Sequence, residues 1–331
     1  MDRQTADFRK KFEAAGKRQG WLQSGSILAA VSGGGDSVAL LCLLKNFYNG
    51  KIAAAHIDHC TRNGASHRDA DFVREFCEKW DISCFVKEID VEKEKMTGES
   101  FEMAARRIRY EYFDELAAAE DIDFIALGHS LDDLVETQLL NLFRGTGIDG
   151  LRGMPEVRGR IVRPVIDFRR DELRKFLSAQ GISWCEDETN AENVYKRNKI
   201  RNDLIPWIKE NINANFEISM AALARQAAEL SAGRSARAEM QLADISCENG
   251  TALASWRKNA VKGLSDSDIS ELFRLQGKIL GLPVLDRKRT EELVRLAKAG
   301  GRWRFQWAAD IEVCRTAEGI FWLHRADAER I

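Results

Sequence analysis

Proline and long apolar runs are scarce in this chain of 331 residues. It has only 4 prolines and no low-complexity tract, which argues against long disordered regions. The longest apolar run, residues 38–44, is far shorter than the roughly 20 residues that span a bilayer. The N-terminus is charged and has no apolar stretch, so no secretory signal is predicted. We therefore expect a cytoplasmic globular protein with no membrane partner, large enough for two or three domains.

The seven cysteines are scattered, and no two of them form a C-x-x-C pair. A zinc knuckle, a redox pair and a clustered set of iron–sulfur ligands are therefore all unsupported. Buried or idle thiols in a reducing cytosol are the expectation.

The balance of charge gives no sign of a nucleic-acid partner. The formal net charge is −2, whereas attraction to phosphates normally needs a basic face. A nearly neutral protein can still carry a local basic patch, so RNA binding stays open.

Residues 26–145 alternate short apolar runs with longer helical patterns. Because the strands are apolar throughout, they predict a doubly wound α/β fold, in which helices cover both faces of a parallel sheet. Ligands of such sheets bind at the carboxyl ends of the strands. The predicted strands are 26–31, 52–57, 83–89 and 123–129, and the predicted helices are 37–47, 66–80, 100–119 and 131–143.

Three regions are predicted along the chain. Residues 1–213 form the catalytic domain and end in a loop-rich stretch with two shorter helices. The Ala-rich residues 214–245 form a helical connector, and residues 246–331 form a small α+β domain that ends in a β-meander. In that meander, strand alternation puts Trp303, Phe305 and Trp307 on one face, as the domain's core or as a surface that stacks on bases. The shorter helices are 171–180 and 196–210, those of the last domain are 268–280 and 286–299, and Arg302 and Arg304 lie on the opposite face of the meander.

A glycine-rich hexapeptide, S-G-G-G-D-S, lies between the first strand and its helix at residues 32–37. Three glycines let successive N–H groups point into one anionic site at the helix N-terminus. Neither G-x-x-x-x-G-K-[ST] nor G-x-G-x-x-G is present. The alternative is a tight turn in which Asp36 and Ser37 only cap the helix. The residues predicted to hold phosphates are Ser32, Gly33, Gly34, Gly35, Asp36 and Ser37.

This loop matches the S-G-G-x-D-S signature of the ATP-pyrophosphatase (PP-loop) superfamily, whose members cleave ATP between its α- and β-phosphates. Further motifs narrow the choice and together resemble the bacterial tRNA(Ile)-lysidine synthetase family over roughly residues 26–210. Cys60-Thr61 and Leu134-Val135 depart from that family's usual Gly-Leu and Gln-Ala. The motifs are HIDH (56–59) with Arg62, ARRIRY (105–110), GHSLDDLVET (128–137), RGTG (144–147), GLRGM (150–154), Trp184, Glu186-Asp187, Asn190, Arg197-Asn198, Arg201 and Ile205-Pro206.

The resemblance implies an adenine nucleotide α-hydrolase-like fold and a ligase that forms a C–N bond. Its RNA substrate would be tRNA(Ile) with the anticodon CAU, and its other substrates ATP and L-lysine, with Mg²⁺ as cofactor. AMP would be transferred to the C2 oxygen of the wobble cytidine with release of pyrophosphate. The lysine ε-amine would then displace AMP, which changes codon reading from AUG to AUA and identity from Met to Ile. The C-terminal domain would bind the tRNA.

The resemblance also assigns roles to individual residues. Asp36, Arg109 and His129 would be catalytic, with Asp36 also a magnesium ligand. His56 would join the loop in binding ATP. The lysine-binding residues would be Asp133, Glu136 and Arg201.

Each of these residues also has a plain structural interpretation. His56 and His59 could be core histidines at a strand end, and two histidines without a third ligand make a poor metal site. Arg106 and Arg109 share a helix face and could simply be solvated. Three acids could simply complement a helix dipole, namely Asp132, Asp133 and Glu136. Two arginines, Arg197 and Arg201, could be surface charge.

Three rival functions stay open at this point. A tRNA thiolase of the same superfamily is disfavoured by the lack of C-x-x-C. A small-molecule amide ligase of the GMP or NAD synthetase type is disfavoured by the 128–154 motifs and the C-terminal appendage. A nucleotide sensor without catalysis is disfavoured by the intact loop beside the acidic helix start. The sequence leaves the oligomeric state open, with a homodimer among the options.

Overall fold

A six-stranded sheet forms the centre of the N-terminal unit, Met1–Ala227, in the computed structural model, which describes residues 3–59, 65–186, 196–247 and 252–328. The strands are β1 (Ser26–Ala30), β2 (Lys51–Asp58), β3 (Ser83–Glu88), β4 (Phe124–Leu127), β5 (Val157–Arg158) and β6 (Ile161–Val162). Their order is β3-β2-β1-β4-β6-β5. All pairs are parallel except the β5–β6 hairpin. The predicted parallel sheet is confirmed, and the hairpin is an addition to it.

Helices cover both faces of this sheet, because neighbouring residues of a strand point to opposite sides. Ile27 packs with Leu40 in the core on one face, and Leu28 packs with Ile108 in the core on the other. The doubly wound prediction is therefore confirmed. The helices are α1 (Arg3–Gln19), α2 (Gly35–Phe47), α3 (Ala65–Lys79), α4 (Val91–Glu94), α5 (Phe101–Ala119), α6 (Leu131–Phe143), α7 (Ile148–Leu151), α8 (Arg170–Ala179), α9 (Lys196–Lys199) and α10 (Ile205–Asn211), with a π-helical turn at Ile200–Leu204.

Helix α1 was not predicted, since its sequence is highly charged. Its apolar residues nevertheless recur at helical spacing and are buried. The ring of Phe8 lies 5.0 Å from that of Phe176, and the ring of Phe12 lies 5.0 Å from that of Trp21. The helix thus closes one face of the sheet.

The C-terminal unit, Ala228–Ile331, contains a second sheet, which is antiparallel. Trp303, Phe305 and Trp307 are buried in its core, which confirms the core interpretation over base stacking, while Arg302 and Arg304 are exposed. The sheet order is β7-β10-β9-β8, from β7 (Ala254–Arg257), β8 (Trp303–Gln306), β9 (Ile311–Arg315) and β10 (Gly319–His324). The helices are α11 (Phe216–Ile245), α12 (Asp266–Ile279), α13 (Arg287–Ala299) and α14 (Arg325–Ala328).

The predicted helical connector corresponds to α11, and the boundary between the two units falls within this helix. Met220 and Ala224 pack in the core of the N-terminal unit, beside Leu134 of α6. Ala238 and Leu242 pack in the core of the C-terminal unit. Among the described helices, none combines the length and the apolar composition that crossing a membrane requires.

Candidate active site

A cavity of about 910 Å³ opens at the carboxyl ends of β1, β2 and β4. The strand order reverses between β1 and β4, and ligands of such sheets bind in the crevice at that point. The volume is in the usual range for small-molecule sites. Of the predicted site residues, those that line the cavity are Ser32, Gly34, Gly35, Asp36, Ser37, His56, Arg109, His129, Asp133 and Arg201, whereas Gly33 and Glu136 do not.

The loop between β1 and α2 is held in shape by its own hydrogen bonds and by its neighbours. Ser37 Oγ donates to the Gly34 carbonyl at 2.8 Å, and the Cys185 N–H donates to the Gly33 carbonyl at 3.0 Å. Gly33 has φ of +93°, which favours glycine. A Cβ on Gly128 would lie 2.9 Å from Ser37 Cα, so the end of β4 approaches the loop closely only because that residue is glycine.

Asp36 does not cap α2, which excludes the simplest alternative for this loop. The N-cap residue is Gly34, which has no side chain to bond the free amides, and its own N–H donates to Ser32 Oγ at 3.4 Å. The Asp36 carboxylate instead accepts a hydrogen bond from Arg170 Nε at 3.2 Å. Burial raises the pKa of Asp36, and the positive charge of Arg170 opposes this rise. An acid held in a mostly buried loop at a helix N-terminus is suited to a cation or to a phosphate-bound metal.

Four carboxylates and three guanidinium groups meet beside this loop. Arg170 is at the centre, because it lies within 4.0 Å of all four acids. Burial alone would lower the pKa of Arg170, but Asp133 and Asp36 outweigh it and raise that pKa. The acids are Asp36, Asp132, Asp133 and Glu136, and the bases are Arg170, Arg197 and Arg201.

Glu136 and Asp133 lie together on α6 with Arg201 beside them, as their motifs predicted. The Glu136 side chain is only 1% exposed; it accepts from Arg201 Nε at 2.6 Å and from Arg197 Nε at 2.7 Å. Asp133 Oδ2 accepts from the Ser130 N–H at 3.0 Å, which closes a capping box at the start of α6. Burial pushes the pKa of Asp133 upward, but Arg170 and Arg197 outweigh burial and lower it. Asp133 therefore serves both the helix cap and the charge network, whereas Glu136 belongs to the network alone.

Arg170 was missed by the sequence analysis, although a signal was present. It is the first residue of α8, where a cation opposes the helix dipole. A basic residue at a helix N-terminus calls for carboxylates nearby. Its acidic partners are more than 30 residues away along the chain, at separations of 134 residues for Asp36 and 37 for Asp133, so only the fold reveals them.

His129 lies at the end of β4, with its ring orientation set by Arg163. Arg163 Nε donates to His129 Nδ1 at 3.1 Å, so the imidazole carries its proton on Nε2. Arg163 is itself buried and fixed by Gln19, whose amide bonds its backbone N–H and carbonyl at 2.9 Å each. Burial lowers the pKa of His129 to about 4. His129 is therefore a neutral ring that presents a donor, and sequence reasoning missed the residue that enforces this.

The two histidines at the end of β2 are both in the cavity wall. His56 Nδ1 donates to the Val31 carbonyl at 2.8 Å, which leaves Nε2 as an acceptor with no partner among the described residues. His59 Nε2 lies 3.3 Å from Arg109 Nη2, and burial together with Arg109 lowers the pKa of His59 to about 4. Both rings are thus neutral. Arg62, Asp187 and Asn190 of the predicted motifs, with Cys60 and Thr61, lie outside the described residues.

The described residues of the cavity offer magnesium a carboxylate but no complete set of side-chain ligands. Among the residues that the structure describes, three potential metal-ligating side chains come within 4.8 Å of one another only at Asp58, His67 and Glu88, none of which lines the cavity. Mg²⁺ usually takes one or two carboxylates and completes its shell with substrate phosphates and water. Asp36, in the phosphate loop itself, fits that pattern.

Comparison with known proteins agrees with this geometry. A family model described as PP-loop domain matches residues 4–208. The tRNA(Ile)-lysidine synthase of Clostridium acetobutylicum is 43% identical over 201 residues, which cover 59% of this chain and 43% of that protein. The tRNA(Ile)-lysidine synthase of Chlorobaculum tepidum is 38% identical over 226 residues, which cover 67% of this chain and 68% of that protein. The chain thus spans less than half of the clostridial relative.

Among solved structures, the U34-tRNA thiolase NcsA from Methanococcus maripaludis, with its [4Fe-4S] cluster, has the same fold. The TM-score is 0.57 at 16% identity, with 67% of this chain and 78% of that chain covered. At that identity the likeness shows the fold alone.

Proposed function

The chain belongs to the tRNA(Ile)-lysidine synthase family of PP-loop proteins, and we propose that it joins lysine to the wobble cytidine of tRNA(Ile) at the expense of ATP, in the cytoplasm. ATP use follows from the PP-loop family. Lysine as co-substrate, the CAU anticodon as target and Mg²⁺ as cofactor are the finer parts of the proposal.

The charge balance beside the phosphate loop carries the proposal. Four carboxylates face three guanidinium groups among the described residues there, so the cluster carries one negative charge in excess, although each acid contacts Arg170. Excess charge of one sign in a mostly buried cluster is costly, so the cluster is suited to a cationic ligand. The ammonium group of lysine is such a ligand, and the loop next to it is suited to ATP.

Lysine would enter on the side of Arg197. That guanidinium is 39% exposed, against 22% for Arg201 and 19% for Arg170. It contacts both Asp133, at 3.1 Å, and Glu136, at 2.7 Å. An incoming ammonium can share these acids with Arg197 and balance the excess negative charge, because an ammonium makes similar charge-assisted hydrogen bonds. Arg201 would remain on Glu136 and keep that buried carboxylate paired.

The groups around the cavity are suited to the chemistry that this proposal requires. The C2 oxygen of cytidine is a poor leaving group, and transfer of AMP to it makes it a good one. The loop amides would hold the phosphates, and magnesium bound at Asp36 would neutralise charge as pyrophosphate separates. His56 Nε2 can accept a hydrogen bond from an amino group of the nucleotide, and Arg109 would face the nucleotide or the base. His129 would donate from Nε2 to an oxygen that gains negative charge.

The rival functions lose support in this geometry. A thiolase needs sulfur chemistry at the site, and among the cysteines that the structure describes, only Cys185 lines the cavity. Burial raises the pKa of that thiol to about 12, so it is a poor nucleophile. An amide ligase for a small molecule would have no need of the C-terminal unit.

Incubation with ATP, labelled lysine and total bacterial tRNA tests the proposal. Label should appear in RNA only when ATP is present, with release of pyrophosphate and AMP. Label that stays out of RNA while pyrophosphate is released would point to a small-molecule ligase instead. Omission of lysine should leave the adenylation step, and hence pyrophosphate release, in place.

The role of His129 gives a first prediction about a residue. His129→Ala should lower the rate of pyrophosphate release by about a hundredfold, as the loss of one fixed donor usually does. His129→Asn should release pyrophosphate at least tenfold faster than His129→Ala, since the amide can accept a hydrogen bond from Arg163 and still donate one. The wild-type rate should show no inflection from this ring between about pH 5 and 8, because a pKa of about 4 keeps it neutral there. An Asn variant as inactive as the Ala variant would identify His129 as a base.

The C-terminal unit gives a second prediction, which concerns the body of the tRNA. Arg302→Ala with Arg304→Ala should weaken tRNA binding and reduce the salt dependence of the dissociation constant by about 0.9 per lost phosphate contact. Point substitutions are preferable to a cut near residue 215, because such a cut removes Met220 and Ala224 from the core beneath α6. Lys298→Ala is the control, since that ammonium is paired with Asp266. Unchanged affinity and salt slope in the double variant would assign tRNA binding to other surfaces.

A further inference from the structure

Two exposed arginines lie over one tyrosine at the rim of the cavity. The guanidinium carbon of Arg106 is 5.1 Å from the ring centroid of Tyr110, and that of Arg158 is 4.6 Å away. Arg106 also donates from Nη2 to the Tyr110 hydroxyl at 3.4 Å. Arg106 and Tyr110 come from α5 and line the cavity, whereas Arg158 comes from the strand β5 at the sheet edge. We call these three residues the Arg–Tyr patch.

The positive charge of this patch is not neutralised within the described residues. No carboxylate there lies within 4.0 Å of Arg106 or Arg158, nor of Arg109 on the same side of α5. The neighbouring Arg107 shows the contrast, because it is paired with Glu99 at 3.0 Å and with Glu111 at 3.1 Å. On one helix, therefore, an arginine turned from the cavity has acidic partners, and those at the cavity rim have none in the part of the chain that the structure describes.

The arrangement is suited to phosphate groups more than to bases. A guanidinium over an aromatic ring is held by the ring while the N–H groups on its edge stay available for bidentate bonds. A tyrosine covered by arginines offers little free ring surface to a base. Two such guanidinium groups from different elements form a fixed pair of anion-binding positions.

We propose that the Arg–Tyr patch binds the phosphates on either side of the nucleotide that enters the cavity, and so positions the reacting base. The proposal rests on the proposed function, since it takes an RNA as the substrate. A base can reach the crevice only if it leaves its strand, and its phosphates then remain at the rim. The positive charge of the patch attracts RNA phosphates locally, whereas the chain as a whole, with a net charge of −2, does not.

The test measures RNA binding without ATP or lysine, on the full chain. The probe is an anticodon stem–loop RNA with the sequence CAU in its loop. Arg106→Ala and Arg158→Ala should each weaken binding about three- to tenfold and lower the salt slope by about 0.7, the value for one phosphate of a single strand. Tyr110→Leu should weaken binding as well, because both guanidinium groups lose the aromatic ring, whereas Tyr110→Phe keeps the ring, loses only the hydrogen bond from Arg106 and should weaken binding less.

Arg9→Ala is the matched control, since Arg9 is an exposed arginine of the same unit that is paired with Glu13 at 2.7 Å. The apparent KM for ATP should stay within twofold of wild type in the Arg106 and Arg158 variants. Variants that bind RNA as wild type does, with an unchanged salt slope, would overturn the proposal. A loss of ATP affinity as large as the loss of RNA affinity would also overturn it, because the patch would then serve the phosphates of ATP. Wild type that binds the stem–loop through the patch but adds no lysine would refute the proposed function and leave the RNA site standing.

Discussion

Replacement of Asp36 by Asn is expected to abolish pyrophosphate release while the protein stays folded. The carboxylate lies in a loop suited to phosphates, and beside a bound phosphate its negative charge is unfavourable unless a cation lies between the two. Arg170 supplies part of that compensation at 3.2 Å, and a magnesium ion on the phosphates would supply the rest. Loss of a metal ligand removes several kcal/mol of transition-state stabilisation, which corresponds to about a hundredfold or more in rate.

The measurement is pyrophosphate release in the presence of tRNA, with thermal unfolding of the same variant. Asn has nearly the shape of Asp and can still accept from Arg170, so the unfolding temperature should change little. Asp132→Asn is the matched control, because Asp132 belongs to the same network but does not line the cavity. If the Asp36 variant keeps more than a tenth of the wild-type turnover, the carboxylate has no part in catalysis.

The parallel sheet could be predicted from sequence because its strands are buried on both faces. Such strands appear as short, continuous apolar runs. The phosphate loop was recognisable because its chemistry is local, with three glycines and an acid in six residues. Elements of two residues, such as β5 and β6, carry too little pattern to be found. Helix α1 was missed because its few apolar residues are diluted by charges.

The partners of the site residues could not be predicted in the same way. Glu136 and Arg201 were both selected from motifs, but their contact at 2.6 Å spans 65 residues of sequence. Arg163 carries no local mark of function and Arg170 only its place at a helix N-terminus, and each acts through a side chain far along the chain. The motifs thus selected the acids, the histidine, Arg197 and Arg201, whereas only the fold places Arg170 and Arg163 beside them.

The second large effect is expected for the binding of lysine. Asp133→Asn should raise the apparent KM for lysine by tenfold or more, about 1.4 kcal/mol, because one charge-assisted partner of the ammonium is lost. The apparent KM for ATP should move much less, since the loop holds the phosphates. Asn at this position can still accept from the Ser130 N–H, so the cap of α6 is kept.

Glu136→Gln should raise the apparent KM for lysine by at least as much, but at a cost in stability. Its carboxylate is buried and bonded to Arg197 and Arg201, so loss of its charge removes one acidic partner from each guanidinium group, both of which keep Asp133. Breaking a buried pair costs about 3–5 kcal/mol. We therefore expect a lower unfolding temperature for this variant, and its kinetics should be measured well below that temperature.

Arg197→Gln separates a lysine pocket from a purely structural ion-pair network. If lysine shares Asp133 and Glu136 with Arg197, removal of this guanidinium leaves the two acids more negative and open to an ammonium, so the apparent KM for lysine should stay the same or fall. If the network is only structural, the same variant should lose stability with no selective change for lysine. A rise in the KM for ATP as large as that for lysine, in the Asp133 or Glu136 variants, would mean that these acids serve the metal or the nucleotide. The direction of the lysine effect in Arg197→Gln, opposite to that in Asp133→Asn, is the result that a cationic substrate requires.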